Sequence, residues 1–339
     1  MEKKKVSLKD LARHVGVSTA LVSYALNGKQ KEGRVSDEMV KKILKAAHEL
    51  NYQPNLIAKS LKMGKTKTIG LIVADISNPF FSTIARIIED EAKKSGYLVI
   101  FGSSDECAKK QQQLINVLLT RLVDAFVIAP AAGTQEQIRD IMGFNVPIVL
   151  IDRFFPGIDV DCVHLDNLDA AGLAVTQLIK NGRKRIGMVA YDTIQAHMEE
   201  RINGYKKALT ENSIRFRKDW LIKAKYANMA DDIAKNLSPL LHPLRIDALF
   251  FATNSLAVVG LKEIVQRNIK IPDELAIISF DESEAFDFFY SPVTCVSQSL
   301  ADIGKEAVRL VIERLEGTTE GQKEVVIRGN LVVRKSCGS

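Results

Sequence analysis

From residue 69 to residue 280, short β-rich apolar runs alternate with longer amphipathic stretches, and this alternation constrains the fold more than any other feature. The runs at 69–74, 98–102, 125–129, 148–151, 186–190, 248–251 and 276–280 predict strands. The stretches between them, such as 170–180 and 256–267, predict helices with one apolar face. Strand–helix alternation of this kind builds βαβ units on parallel sheets. Two successive sets imply two lobes with a cleft between them. Ligands in such folds bind at the carboxyl ends of the strands, facing the cleft.

The first sixty-odd residues read differently. Fifteen Lys and Arg stand against six Asp and Glu in residues 1–67, a net +9, although the whole chain carries only +6. A basic head on a mildly acidic body predicts that the head meets a polyanion. Lys3, Lys4 and Lys5 alone would say less, because such a run is more often a solvated tail.

Ser7 and Asp10 have the spacing of a capping box, and Leu8, Leu11, Ala12 and Val15 follow at helical spacing. Gly16 breaks the pattern, and Ser18 is placed to cap a second helix with Leu21, Val22, Ala25 and Leu26 apolar. Ser36, Asp37 and Glu38 open a third, whose expected apolar face is Met39, Val40, Ile43, Leu44, Ala47 and Leu50. Two short helices joined by a three-residue turn, closed by a third, make a helix-turn-helix unit.

Three segments carry a wider resemblance. SLKDLARHVGVSTALVSYALNG, beginning at Ser7, resembles the DNA-binding head of the lactose-repressor (LacI/GalR) family. NYQPNLIAKSL, from Asn51, resembles its hinge helix, and IGLIVADISNPFF, from Ile69, resembles the entry to its effector-binding core. Order and spacing agree along almost the whole chain. The resemblance implies an α/β protein with a three-helix head over 1–54, a hinge helix and linker over 55–67, and a two-lobed periplasmic-binding-protein-like core of parallel sheets over 68–339. It implies a sequence-specific transcriptional regulator, a repressor, controlled by a small molecule held between the lobes.

The resemblance also assigns roles. Thr19, Ala20 and Tyr24, on the second helix, are expected to face base edges in the major groove. Ser7, Ser18, Ser23 and Asn27 are candidates for phosphate contacts, which set register rather than sequence. Ser7 and Ser18 would also cap their helices. Two departures bear on the operator: Leu21 stands where many members have Thr, and Tyr24 where Arg is common. Asn55, Ala58 and Leu61 fall on one face of the hinge. Leu61 is expected to wedge a central minor-groove step open, at a cost of a few kcal/mol of unstacking. A helix so short is marginal alone, so folding is expected only on DNA and in a dimer.

The predicted strand ends carry polar residues. The loop at 75–81 follows the first strand, Asp152 and Arg153 follow 148–151, Thr253, Asn254 and Ser255 follow 248–251, and Asp281 follows 276–280. Arg201 begins the RINGYKKAL segment. A single Asp after a strand is usually only a turn or a cap, but five such groups at comparable strand ends point to a site. By resemblance Arg201, Asn254 and Asp281 contact the effector, followed by Asp152 and Phe80. Asp, Asn and Arg suit vicinal hydroxyls and an aromatic ring suits a sugar's apolar face, so a sugar or sugar derivative is the expected effector. A purine or nucleoside is the alternative. Purine-responsive members carry a second arginine six residues before the one matching Arg201, and Gln195 stands there.

Other functions fit less well. A transport-type sugar-binding protein would share the core but not the head. No GxGxxG, GxxxxGK[ST] or GxSxG segment is present, so catalysis is not expected. The four cysteines include no CxxC pair and the five histidines no i, i+4 pair, so neither a metal nor a cofactor is expected. His164, Leu165 and Asp166 predict a strand end rather than a ligand set. No apolar stretch follows the N-terminal lysines and no run approaches a membrane span, which predicts a cytoplasmic protein. No heptad tail follows the last strands, which predicts a homodimer rather than a tetramer.

Overall fold

A computed structural model describes residues 6–53, 64–318 and 320–338. The chain divides into two compact units, Met1–Thr66 and Lys67–Ser339.

The first unit holds helices α1 (Leu8–Val15), α2 (Thr19–Leu26) and α3 (Asp37–Glu49). Each start is fixed by a side-chain oxygen that takes an otherwise unpartnered backbone N–H. Ser7 Oγ accepts from Asp10 N at 3.2 Å while Asp10 Oδ2 accepts from Ser7 N at 3.0 Å, which completes the box. Ser18 Oγ accepts from Leu21 N, and Ser36 Oγ from Met39 N. Gly16 ends α1 at φ 81°, a left-handed conformation that glycine takes without steric cost. Leu11, Ala12, Val15, Val22, Ala25, Ile43 and Ala46 pack together as the core of this unit. Leu44 is a correction: half of it is exposed. The buried pair on α3 is Ile43 and Ala46, three residues apart. Leu44 lies one step further round the helix, about 100° away, and faces out.

The second unit contains two six-stranded sheets of one design. The first uses β1 (Thr68–Val73), β2 (Leu98–Ser103), β3 (Ala125–Ile128), β4 (Ile148–Ile151), β5 (Asp161–Leu165) and β11 (Glu324–Ile327), in the order β11-β5-β4-β3-β1-β2. The second uses β6 (Ile186–Tyr191), β7 (Leu221–Ala224), β8 (Ala248–Phe251), β9 (Ala276–Phe280), β10 (Thr294–Ser297) and β12 (Asn330–Val332), in the order β12-β10-β9-β8-β6-β7. Strands β1 to β4 thus correspond to β6 to β9. All pairings are parallel except that of β12 with β10. β3, β4, β8 and β9 are buried along their whole length, as strands covered on both faces must be.

The chain passes between the lobes three times. Helix α7 (Asn167–Lys180) follows β5 but packs on β9, β10 and β12 of the second lobe. Helix α12 (Leu300–Glu316) follows β10 but packs on β3, β4 and β5 of the first. The last crossing lies between β11 and β12. Of the seven predicted strands, 148–151, 248–251 and 276–280 have the observed ends, and the others differ by a residue at one end or both.

β5 escaped the periodicity because it carries Asp161 and His164. Both are buried with partners: Asp161 accepts from Arg314 at 2.6 and 2.7 Å, and His164 meets Glu324 at 2.8 Å on the paired strand β11. His164 and Leu165 do end a strand, and Asp166 caps the next helix through Asp169 N.

Candidate functional site

The carboxyl ends of both sheets face one cavity, which holds about 450 Å³ counted out to its mouth. From the first lobe, the loop after β1 runs into helix α4 (Pro79–Lys94), with Asn78 as its cap and Pro79 in its first turn. This turn buries Phe80 and Phe81 edge to face, with ring centroids 4.9 Å apart. From the second lobe, helix α8 (Ala196–Glu211) points Arg201 inward. Gly204, one turn later, lets α8 lie against α7: a Cβ there would come within 2.2 Å of the Leu168 carbonyl oxygen. That close approach sets where Arg201 stands.

Arg201 is almost wholly buried. Its Nε donates to Asn167 Oδ1 at 2.9 Å and its Nη1 to the Ala252 carbonyl at 2.7 Å, and the guanidinium carbon lies 3.6 Å from the centre of the Phe280 ring. Asp281 Oδ2 is 3.8 Å from Nη1. Burial draws the Arg201 pKa below its ordinary value, against the pull of the Asp281 and Asp152 carboxylates. The same burial pushes Asp281 up to about 6, although Arg201 and a 2.5 Å hydrogen bond from Gln298 Nε2 both favour its ionised form. Asp152 is raised for the same reason, with Arg153 and Arg201 opposing.

A second cation sits on the first-lobe wall. Arg153 Nη1 and Nη2 donate to Glu106 Oε2 and Oε1 at 2.7 and 2.5 Å, a two-point contact, and Nε lies 3.4 Å from Asp152 Oδ2. His197, in the first turn of α8, faces the same cavity, and its Nδ1 is buried with no hydrogen-bond partner. Its pKa falls well below the ordinary value because of burial and of the two arginines. Across the mouth, Tyr226 of the second lobe donates to Asp75 Oδ2 of the first at 2.5 Å. Burial would raise Asp75, but the bonds from Tyr226 and Ser77 hold it below the usual carboxylate value. Asn78 Nδ2 donates to Ser255 Oγ at 3.4 Å, and Gln195 Nε2 to the Pro130 carbonyl at 2.9 Å, and these bonds also tie the lobes together.

Of the five expected cleft residues, Phe80, Asp152, Arg201 and Asp281 line this cavity together. Asn254 is buried beside it, and its amide donates to Asn78 Oδ1 at 3.3 Å and to the Glu282 carbonyl at 3.2 Å. Sequence reasoning missed Glu106, Tyr191, His197 and Tyr226 as cavity residues. Tyr191 ends β6, so the rule of looking just past each strand would have found it. Nothing local marks His197. Cys162, His164 and Glu324 bring three potential metal-ligand atoms within 4.8 Å of one another. Burial pushes the Cys162 thiol up to about 12, and His164 is already hydrogen-bonded to Glu324, so the trio fits a packed strand pair better than a metal centre.

In the head, Thr19, Ala20 and Tyr24 are exposed along α2. Tyr24 is 38% exposed, and a Cβ on Gly33 would come within 2.4 Å of its ring. Ser7 and Ser18 are caps, while Asn27 is exposed and donates to the Ser23 carbonyl at 2.8 Å. Asn55, Ala58 and Leu61 lie outside the described residues.

Comparison with known proteins agrees with both halves. Residues 7–55 match the family described as bacterial regulatory proteins, lacI family, and residues 175–337 match a periplasmic binding protein-like domain. The chain is 31% identical to the ribose operon repressor of Haemophilus influenzae over 332 residues, covering 97% of this chain and 98% of that protein. It is 32% identical over 338 residues to the transcriptional repressor CytR of Escherichia coli K12, covering 97% and 96%. The lac repressor dimer bound to operator and the anti-inducer ONPF has the same fold, with a TM-score of 0.86 at 21% identity, covering 99% of this chain and all of that one.

Proposed function

The chain belongs to the lacI family of bacterial regulatory proteins, and we propose that it is a dimeric cytoplasmic repressor whose grip on a pseudo-palindromic operator is set by a sugar or sugar derivative in the core cleft. The family consists of DNA-binding transcriptional regulators and not of enzymes. Residues 1–54 are the reading head, with Thr19, Ala20 and Tyr24 toward base edges and Ser7, Ser18, Ser23 and Asn27 toward phosphates. Residues 55–67 are the hinge, with Leu61 as the wedge. Residues 68–339 bind the effector and dimerise.

One observation carries the effector assignment: Arg201 is buried in the cavity that both lobes line, with Asp281 Oδ2 3.8 Å from its Nη1 and Asp152 lining the same cavity. Burying a guanidinium and two carboxyl groups together is costly, and a chain gains little from it unless a ligand uses them. A ligand that touches both lobes favours one lobe orientation, and this in turn changes the spacing of paired hinges. Dimerisation is supported by the edge strand β2 and the helix beside it, α5 (Ala108–Thr120). Leu98 and Phe101 on β2 are 72% and 61% exposed, and Val117 on this helix and Leu122 just after it are exposed as well, apolar side chains that a second copy would cover.

A purine effector is the weaker alternative, because the Gln195 amide is spent on the Pro130 carbonyl and no arginine stands there. The test is fluorescence anisotropy on an inverted-repeat duplex selected with the full-length protein, with free sugars titrated in. A sugar that changes duplex affinity for the wild type and not for Arg201→Ala is the expected result. A sugar that binds the protein and leaves duplex affinity untouched contradicts the proposal.

A further inference from the structure

Four carboxylates line the cleft, Asp75, Glu106, Asp152 and Asp281, against two guanidinium groups, Arg153 and Arg201. Neither cation offers a free two-nitrogen fork to an incoming anion. Arg153 has both terminal nitrogens on Glu106, with Asp152 beside its Nε. Arg201 spends Nε and Nη1 on Asn167 and Ala252, which leaves Nη2 as its donor toward the cavity. The remaining buried polar side chain lining the cavity among the described residues is His197, 4% exposed, whose Nδ1 has no partner. Burial and the two arginines hold its pKa well below the ordinary value, so the ring is uncharged at neutral pH.

We infer that the cleft selects an uncharged polyhydroxylated ligand and turns away its phosphorylated or carboxylated counterpart. The inference rests on the cleft being the effector site. Carboxylates want donors, and a hydroxyl donates to one while accepting from Arg201 Nη2, and it pairs with the neutral imidazole in either direction. A phosphate brings acceptors and negative charge into a wall that already carries a surplus of both, with no free cationic fork to receive it. His197 is therefore a specificity residue: its ring nitrogen is satisfied by a ligand hydroxyl without adding charge.

The test uses the full-length chain and matched pairs, D-ribose with ribose 5-phosphate, D-glucose with glucose 6-phosphate and adenosine with AMP, followed by calorimetric titration and thermal shift. The expected result is that the member of a pair that binds is the free sugar or nucleoside, with its phosphate at least ~100-fold weaker. His197→Ala should weaken the neutral ligand about tenfold, with His197→Asn recovering part of the loss through its amide. Asp75→Asn, at the rim rather than in the core, should narrow the gap between a sugar and its phosphate. A phosphorylated member binding as tightly as its free twin, or an Asp75→Asn gap that is unchanged, overturns the inference and leaves the effector cleft standing. A complete panel without a binder counts against the effector cleft itself and takes the inference with it.

Discussion

Asp152 and Asp281 occupy the same place in the two lobes: each is the first residue after its sheet's corresponding strand, β4 or β9, each is buried, and each has φ 64°. A left-handed backbone at a residue other than glycine is uncommon, and it costs free energy that the surrounding structure must offset. Here it turns a carboxylate at each sheet's carboxyl end toward one cavity. Arg201 sits within the electrostatic reach of both.

Arg201 is the group whose loss should separate ligand control from DNA binding. Arg201→Ala leaves the buried Asp281 without its nearby cation, and losing one partner of a buried pair costs about 3–5 kcal/mol. Arg201→Lys keeps the charge but not the planar stack on Phe280. The lysine variant should unfold cooperatively at a modestly lower urea midpoint, bind operator duplex as the wild type does, and lose at least about tenfold in effector affinity. Denaturant titration and anisotropy measure the two effects separately.

Effector affinity should depend on pH through Asp281, whose carboxyl is pushed up to about 6 by burial. A ligand hydroxyl donates to the ionised form, so binding favours loss of the proton. Affinity should be flat above about pH 7 and should fall as pH drops through 6, approaching tenfold per unit below it. Asp281→Asn should bind more weakly at pH 8 and show no such slope. Calorimetry between pH 5 and 8 reads both.

The backbone at Asp152 gives a third prediction. Asn tolerates φ 64° nearly as well as Asp, whereas a β-branched residue does not. Asp152→Asn should therefore cost less stability than Asp152→Val by roughly 1–2 kcal/mol, although both remove the charge. Equal urea midpoints for the two variants would show that the loop relaxes and that the conformation is not enforced.

In the head, capping and reading should come apart. Ser18→Ala removes the acceptor for Leu21 N and should cost about 1 kcal/mol of head stability. Thr19→Ala and Tyr24→Ala alter exposed side chains on the same helix and should leave the melting temperature nearly unchanged. Each should lose about 1–3 kcal/mol on the selected duplex and much less on a scrambled one.

Much of this architecture was readable in the sequence wherever a residue's local chemistry matched its final surroundings. The caps at Ser7, Ser18 and Ser36 and the continuous apolar runs of β4, β8 and β9 are of this kind. β5 was not, because Asp161 and His164 look like surface residues until Arg314 and Glu324 arrive from more than 150 positions away. The cleft divides in the same way. Asp152, Arg201 and Asp281 stood out by position and resemblance, whereas His197 looks ordinary in sequence and acquires its character only when buried beside two arginines. The Tyr226–Asp75 bond joins residues on different lobes, so no local pattern could announce it.

The most direct test of the central claim is selection of bound sites from a random duplex library by the full-length protein, followed by the same selection with Leu61→Ala. The account predicts that the wild type recovers an inverted repeat whose half-sites match a paired head, and that the leucine variant loses far more affinity for that repeat than for unrelated DNA. Recovery of only sequence-independent binding, or equal losses on both duplexes, would contradict it.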